Sequence, residues 1–292
     1  MSATRARGIV GAVPTPEFWE DVNGRRFLFD DREGPGARGT DRRCAVRLRR
    51  QSQRAVAGVA RQLTAAARSF EDDATTSVVV LTGTVKAFCA GFDLKDAEGQ
   101  SRRNMDLGTL RRHLKIGPRL CRAWHEMQQI TIGAIEGFCI GGGVSIAVAL
   151  DFRVMARDAH MRLPEIGLGM NMAWQTTPRM LHLMGPARTK QALLLANDRI
   201  MAPEALDWGL IEMLAEPGHA FDTAMALAAK IAAQPPLSVA MTKLTVNRLA
   251  HALDDLASHM EDDQVALASL TEDYKEGVNA VLGRRPPRFK GR

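Results

Sequence analysis

Apolar positions along the chain follow two spacings, one helical and one extended. Between Ala55 and Phe70, Val56, Val59, Ala60, Leu63, Ala66 and Ala67 recur at helical spacing and predict a helix. Ser77-Val78-Val79-Val80-Leu81-Thr82-Gly83 is a β-branched run closed by glycine, the pattern of a buried strand. Residues 1–40 carry weak periodicity and read as loop, with one short strand at Arg26-Phe27-Leu28-Phe29. Asn104–Gln129 predicts a helix with Leu107, Leu110, Leu114, Leu120 and Trp124 apolar, and Ile130–Ile135 a second buried strand. A glycine-rich turn then leads into a short apolar helix, Val144–Leu150, and Phe152–Ala156 reads as a further strand. Strand and helix in alternation predict βαβ units and a parallel sheet, hence an α/β fold. From Thr176 the pattern turns helical, over Pro178–Met184, Arg188–Ala196, Pro203–Trp208, Phe221–Ala233, Leu237–Ala257 and His259–Leu282, with Gly185, Gly209 and Gly218 between. Pro203 suits the first turn of its helix.

The most informative stretch is Gly137-Phe138-Cys139-Ile140-Gly141-Gly142-Gly143-Val144-Ser145. Glycines let backbone amides approach a ligand closely, and the first amides of the helix that follows have no partner inside it. A lone carboxylate then stands in an apolar frame, Leu163-Pro164-Glu165-Ile166-Gly167-Leu168-Gly169. Amide donors for an oxyanion together with a positioned acid/base are what chemistry beside a carbonyl requires. If Glu165 is buried among Leu163, Ile166 and Leu168, it should favour its neutral form and titrate nearer neutrality than a free carboxyl.

Composition narrows the classes. At 292 residues the chain can bury a substantial core, and no apolar run approaches the ~20 residues of a membrane span. The first residues lack an apolar stretch of the signal-peptide kind, so a cytoplasmic location is expected. Cys44, Cys89, Cys121 and Cys139 are scattered without metal-ligand spacing and read as reduced thiols. The net charge of +6 gathers between Arg38 and Arg54, where Arg38, Arg42, Arg43, Arg47, Arg49, Arg50 and Arg54 face only Asp41. A solvated loop is the favoured reading there, ahead of a site for substrate phosphates and well ahead of nucleic acid, since few aromatics stand nearby for base stacking. HExxH, Walker and GxGxxG signatures are absent, which leaves metal, nucleoside triphosphate and dinucleotide without support. The histidines form no Ser/His/Asp pattern, and His160 and His182 are assigned surface or core roles.

With these segments in hand, the chain resembles the crotonase superfamily, the enoyl-CoA hydratase/isomerase family. The resemblance rests on Val78–Gly83, Lys86-Ala87-Phe88-Cys89-Ala90-Gly91-Phe92-Asp93-Leu94-Lys95, the Gly141 triplet, Leu163-Pro164-Glu165, and the tail from Glu276-Gly277-Val278 to Arg292. It implies a spiral of stacked ββα units with a helical C-terminal region, an acyl-CoA substrate, no separate cofactor, and a homotrimer or hexamer. On that basis residues 1–54 form an irregular basic segment, 55–205 the spiral core with the active site, and 206–292 the helical region for covering and trimerisation. The resemblance further implies that the amides of Phe92 and Gly142 clamp the thioester oxygen and that Glu165 is the acid/base. Ala90, Asp93 and Leu94 would lie along the adenine, Gly141 and Pro164 would contact the acyl-CoA, and Lys290 would approach the phosphates, with Lys95 and the arginine cluster as further phosphate candidates.

Two departures from the hydratase pattern bear on the reaction. Hydratases carry two glutamates, and the first falls here on Ser145, which cannot serve as a carboxylate base. Hydration of an enoyl-CoA is the expected activity, with 3,2-enoyl-CoA isomerisation or a hydratase-lyase reaction as the alternatives that Ser145 raises. The loop after Glu165 is Met170-Asn171-Met172-Ala173-Trp174-Gln175, where Trp174 and the two methionines could wall an acyl pocket and Asn171 or Gln175 could bond a polar acyl group, or the loop could pack against a neighbouring subunit. A rival from another class is a CoA- or RNA-binding homologue without turnover.

Overall fold

The computed structural model describes residues 27–30, 43–48, 57–91, 105–196 and 198–292. Its strands divide between two sheets. The larger has six strands in the order β1 (Phe27–Asp30), β2 (Arg43–Leu48), β3 (Val78–Thr82), β5 (Ile130–Ile135), β7 (Phe152–Ala156) and β10 (Met213–Ala215). All neighbours are parallel except β1 and β2. The smaller sheet has the order β4 (Ala87–Cys89), β6 (Phe138–Ile140), β8 (His160–Arg162), β9 (Ile200–Met201). Successive strands therefore alternate between sheets: β3 then β4, β5 then β6, β7 then β8. Each pair is one turn of a ββα spiral, as the resemblance implied.

The expected strands of the larger sheet form because both their faces are covered. Val78, Val79, Val80 and Ile132 are fully buried, which is why these runs are uniformly apolar rather than alternating. Helix α1 (Ala57–Arg68) turns Val59, Leu63, Ala66 and Ala67 into the core. Fully buried Trp124 donates its Nε1–H to Leu63 O at 3.1 Å, tying α1 to the helix that carries the tryptophan.

Several helices differ from their sequence expectation, each for a local reason. The stretch expected as one helix over Asn104–Gln129 is two, α2 (Leu107–Leu114) and α3 (Ile116–His125). Pro118 lacks an N–H and its ring would clash with the carbonyl of Leu114, so the first helix ends there. Asp106 caps α2, accepting from Thr109 N at 2.9 Å. After α4 (Gly142–Ala147), the two expected helices at Pro178–Met184 and Arg188–Ala196 follow end to end and are labelled together α5 (Thr176–Leu194); as expected they are separated at Gly185, whose φ of 73° and ψ of 174° are not helical, just before Pro186. Next come α6 (Ala202–Asp207) and α7 (Ala220–Ala232), then α8 (Pro236–Ala250) and α9 (Asp254–Ser258) in place of one helix to Ala257. The stretch His259–Leu282 divides into α10 (Glu261–Ser269) and α11 (Glu272–Leu282), because Thr271 caps a new start, accepting from Tyr274 N at 3.0 Å. Helix α7 lies on the larger sheet. Buried Glu136 meets its N-terminus, accepting from Ala220 N at 2.8 Å and Gly218 N at 3.1 Å, a favourable place for negative charge. No helix among the described residues is long and apolar enough to cross a membrane.

Candidate active site

A cavity of about 830 Å³ opens where the smaller sheet meets α4 and the C-terminal helices. Gly141 shapes its floor. Its φ of 54° and ψ of −118° suit glycine, and its N–H donates to Arg162 O at 2.8 Å, which brings the glycine turn against the end of β8. Glu165 follows β8 by three residues and therefore comes to rest on the turn. A Cβ placed on Gly141 would lie 2.6 Å from Glu165 Oε1, so the glycine also makes room for the carboxylate. Gly142 begins α4, and its N–H has no carbonyl one turn earlier inside the helix to bond.

Glu165 is fixed through its backbone: its carbonyl accepts from Leu168 N at 2.9 Å and Met170 N at 3.0 Å, closing a single 3-10 turn at Ile166–Leu168. Its Oε2 is buried without a hydrogen-bond partner. Burial pushes the carboxyl up to about 7, against a partial opposing pull from its own backbone N–H and the Arg162 charge. A carboxyl that titrates there exists in both protonation states near neutral pH and can take and return a proton.

Ser145, fully buried on α4, lines the same cavity. Its hydroxyl lies 2.8 Å from that of Thr176, and Thr176 Oγ1 lies 2.6 Å from Ala173 O. A carbonyl only accepts, so the Thr176 proton is held by Ala173 O and the Ser145 proton points to Thr176. That leaves Ser145 with a lone pair toward the cavity and no proton of its own to give.

Met170, Asn171, Met172, Ala173 and Trp174, from the loop after Glu165, line the same cavity. Trp174 and Gln175 both take left-handed backbone conformations, with φ of 65° and 57°. Buried Arg179 holds them: Nη1 donates to Trp174 O at 3.0 Å and Gln175 O at 3.2 Å, and Nη2 to Gln175 Oε1 at 3.0 Å. From the other side, Glu261 on α10 accepts from Gln175 N at 2.7 Å. Burial pushes the Glu261 carboxyl up to about 7. One turn beyond Arg179, His182 meets Asp254 at 2.7 Å, and Asp254 also meets His251 at 2.6 Å, which pins α5 to α8 and α9.

Ala90, Gly141, Gly142, Ser145, Pro164, Glu165, Asn171 and Trp174 thus come together around one cavity. The Asn171 Nδ2 group is already engaged, donating to Met172 O and Gln264 Oε1, each at 3.2 Å. Lys290 is not among the lining residues: its N–H donates to Asp273 Oδ1 at 2.7 Å and its Nζ lies 3.8 Å from Glu272. Arg284 and Arg285 line the rim instead. Phe92, Asp93, Leu94 and Lys95 lie outside the described residues, as does the arginine cluster apart from the backbone of β2. Sequence reasoning singles out neither Thr176 nor Glu261.

A profile of the enoyl-CoA hydratase/isomerase family matches residues 44–292. The crotonyl-CoA hydratase of Syntrophomonas wolfei is 31% identical over 225 residues, covering 77% of this chain and 84% of the relative. The 1,2-epoxyphenylacetyl-CoA isomerase of Escherichia coli is 30% identical over 236 residues, covering 79% and 87%. Among solved structures, an enoyl-CoA hydratase from Bacillus anthracis superposes with a TM-score of 0.68 at 28% identity, over 91% of this chain and 99% of that one.

Proposed function

The chain belongs to the enoyl-CoA hydratase/isomerase family, and we propose that within it the protein moves a proton along the acyl chain of an enoyl-CoA, using Glu165 as its one acid/base. The observation that carries this reading is the buried, unpartnered Glu165 Oε2 beside the glycine turn, on a carboxyl pushed up to about 7. The carboxylate removes a proton from C2 of a 3-enoyl-CoA, and the electron pair moves onto the thioester oxygen as an enolate. The amides of Gly142 and, by family resemblance, Phe92 stabilise that oxygen, where loss of one such donor costs about 3–4 kcal/mol of transition-state stabilisation. The protonated Glu165 then delivers the proton to C4, and the double bond shifts into conjugation with the thioester. One carboxyl completes this cycle, and the enzyme ends as it began.

Hydration is the second reading. It draws on the relative named a crotonyl-CoA hydratase and on the lone pair of Ser145, which can hold a water by accepting from it. It ranks second because neither Ser145 nor Thr176 can act as a second carboxylate. The remaining features extend the first reading. Asp93 and Leu94 with Ala90 would cradle the adenine, and Arg284 and Arg285 at the rim would meet the phosphates in place of Lys290. The exposed apolar row of Leu237, Met241 and Leu244 on α8 supports association of copies, as a homotrimer or hexamer in this reading. The test is a paired assay of a 3-enoyl-CoA and a 2-enoyl-CoA, followed by absorbance of the conjugated thioester. A rise with the first supports isomerisation. A fall with the second and no rise with the first transfers the assignment to hydration.

A further inference from the structure

We infer that Trp174 sets the acyl-chain length: its indole closes the pocket just beyond the thioester and restricts the enzyme to short-chain acyl-CoA. This rests on the acyl-CoA reading above and adds the size of the acyl group to it.

The indole stands in a slot between two helices, and both helices carry glycine where they face it. A Cβ on Gly142 would lie 2.8 Å from Trp174 Cη2 and from Cζ3, and a Cβ on Gly117 of α3 would fall inside the indole itself. The ring therefore bridges from the residue whose amide faces the thioester oxygen to the helix behind it. It fills the space through which a long acyl chain would otherwise continue between α3 and α4. With Leu114 and Met172 also lining the cavity, the end wall is apolar and suited to a small hydrocarbon group.

The wall is held in place. Two consecutive non-glycine residues at positive φ cost about 1–3 kcal/mol each, and such a conformation persists only where its surroundings over-determine it. Here Arg179 takes both carbonyls, Glu261 takes the Gln175 N–H, and Gln175 Nε2 donates to Ser258 Oγ at 3.3 Å. His182, one turn after Arg179, fixes the same helix to Asp254. Arg179 and Glu261 are accordingly positioning residues for the indole.

The test compares crotonyl-CoA with a ten-carbon enoyl-CoA by kcat/KM, and butyryl-CoA with decanoyl-CoA by calorimetric binding, for the wild type, W174A and W174L. An added methylene that a pocket cannot accommodate costs on the order of tenfold or more. The wild type is therefore expected to favour the short thioester by at least about tenfold, and both variants to shift that ratio by at least about tenfold toward the long one. An unchanged ratio in a folded variant, or a wild type indifferent to chain length, overturns the inference. The saturated thioesters separate the two claims. If neither enoyl-CoA turns over, the reaction assigned above fails, while the binding ratio still decides the chain-length rule.

Discussion

The Glu165 carboxylate rests against the backbone of Gly141, so close that a Cβ at that glycine would come within 2.6 Å of Oε1. The carboxyl proposed as acid/base and the glycine turn that leads into Gly142 are therefore one packed unit. Gly141→Ala is expected to displace the carboxylate and to strain a backbone with φ of 54° by about 1–3 kcal/mol. Melting temperature and kcat should fall together. A variant with wild-type kcat would separate the two groups.

Removing the carboxylate alone gives a sharper effect. Glu165→Gln keeps the shape and is expected to lower kcat by about 10²–10⁴, the usual contribution of a positioned acid/base. The wild-type pH–rate profile should show an ionisation near 7, the value to which burial lifts this group, and the variant should lack it. Persistence of that inflection in the variant would assign it elsewhere.

Two buried glutamates also make stability depend on pH. Glu165 and Glu261 both titrate at about 7 in the fold, raised from an ordinary value of 4.5. Between those values the native state holds more protons than the unfolded one, so stability is greatest below about 4.5 as far as these groups decide it and declines as pH rises through 7. His125 acts oppositely at the acid end: burial lowers it from 6.5 to about 3, so its contribution is lost as pH falls below 6.5. Denaturant melts of Glu261→Gln should show a weaker decline between pH 5 and pH 7 than the wild type. An identical pH dependence would contradict the assignment to Glu261.

The hydroxyl pair in the cavity wall predicts a different signature. Thr176→Val leaves buried Ser145 without its partner at 2.8 Å, and an unsatisfied buried hydroxyl costs about 1–3 kcal/mol. Ser145→Ala removes the need for that partner, so the double variant should lose less stability than the sum of the two. Equilibrium unfolding of all four proteins completes the cycle, and additive losses would show that the two hydroxyls act independently.

Much of this was legible in the sequence because its signal is local. Val78–Thr82 and Ile130–Ile135 are buried throughout and therefore largely apolar without alternation, and the Gly141 triplet and Leu163-Pro164-Glu165 announce a turn and an isolated carboxyl. The strands of the smaller sheet are three residues or fewer, too short for a period to register. The apolar spacing runs on across the break between α2 and α3, which only Pro118 marks. Glu261 could not be found this way: it lies 86 positions from Gln175 and reaches it only because α10 folds back over the loop. Arg179 and Thr176 likewise acquire their roles from the left-handed turn at Trp174, which no residue preference announces.

The most direct measurement is exchange of the α-proton of butyryl-CoA in deuterium oxide, followed by NMR. It isolates enolate formation from whatever step follows and needs no knowledge of the natural acyl group. The account predicts that the wild type incorporates deuterium at C2 and that Glu165→Gln slows this by about 10²–10⁴. Exchange at the wild-type rate in Glu165→Gln would contradict it.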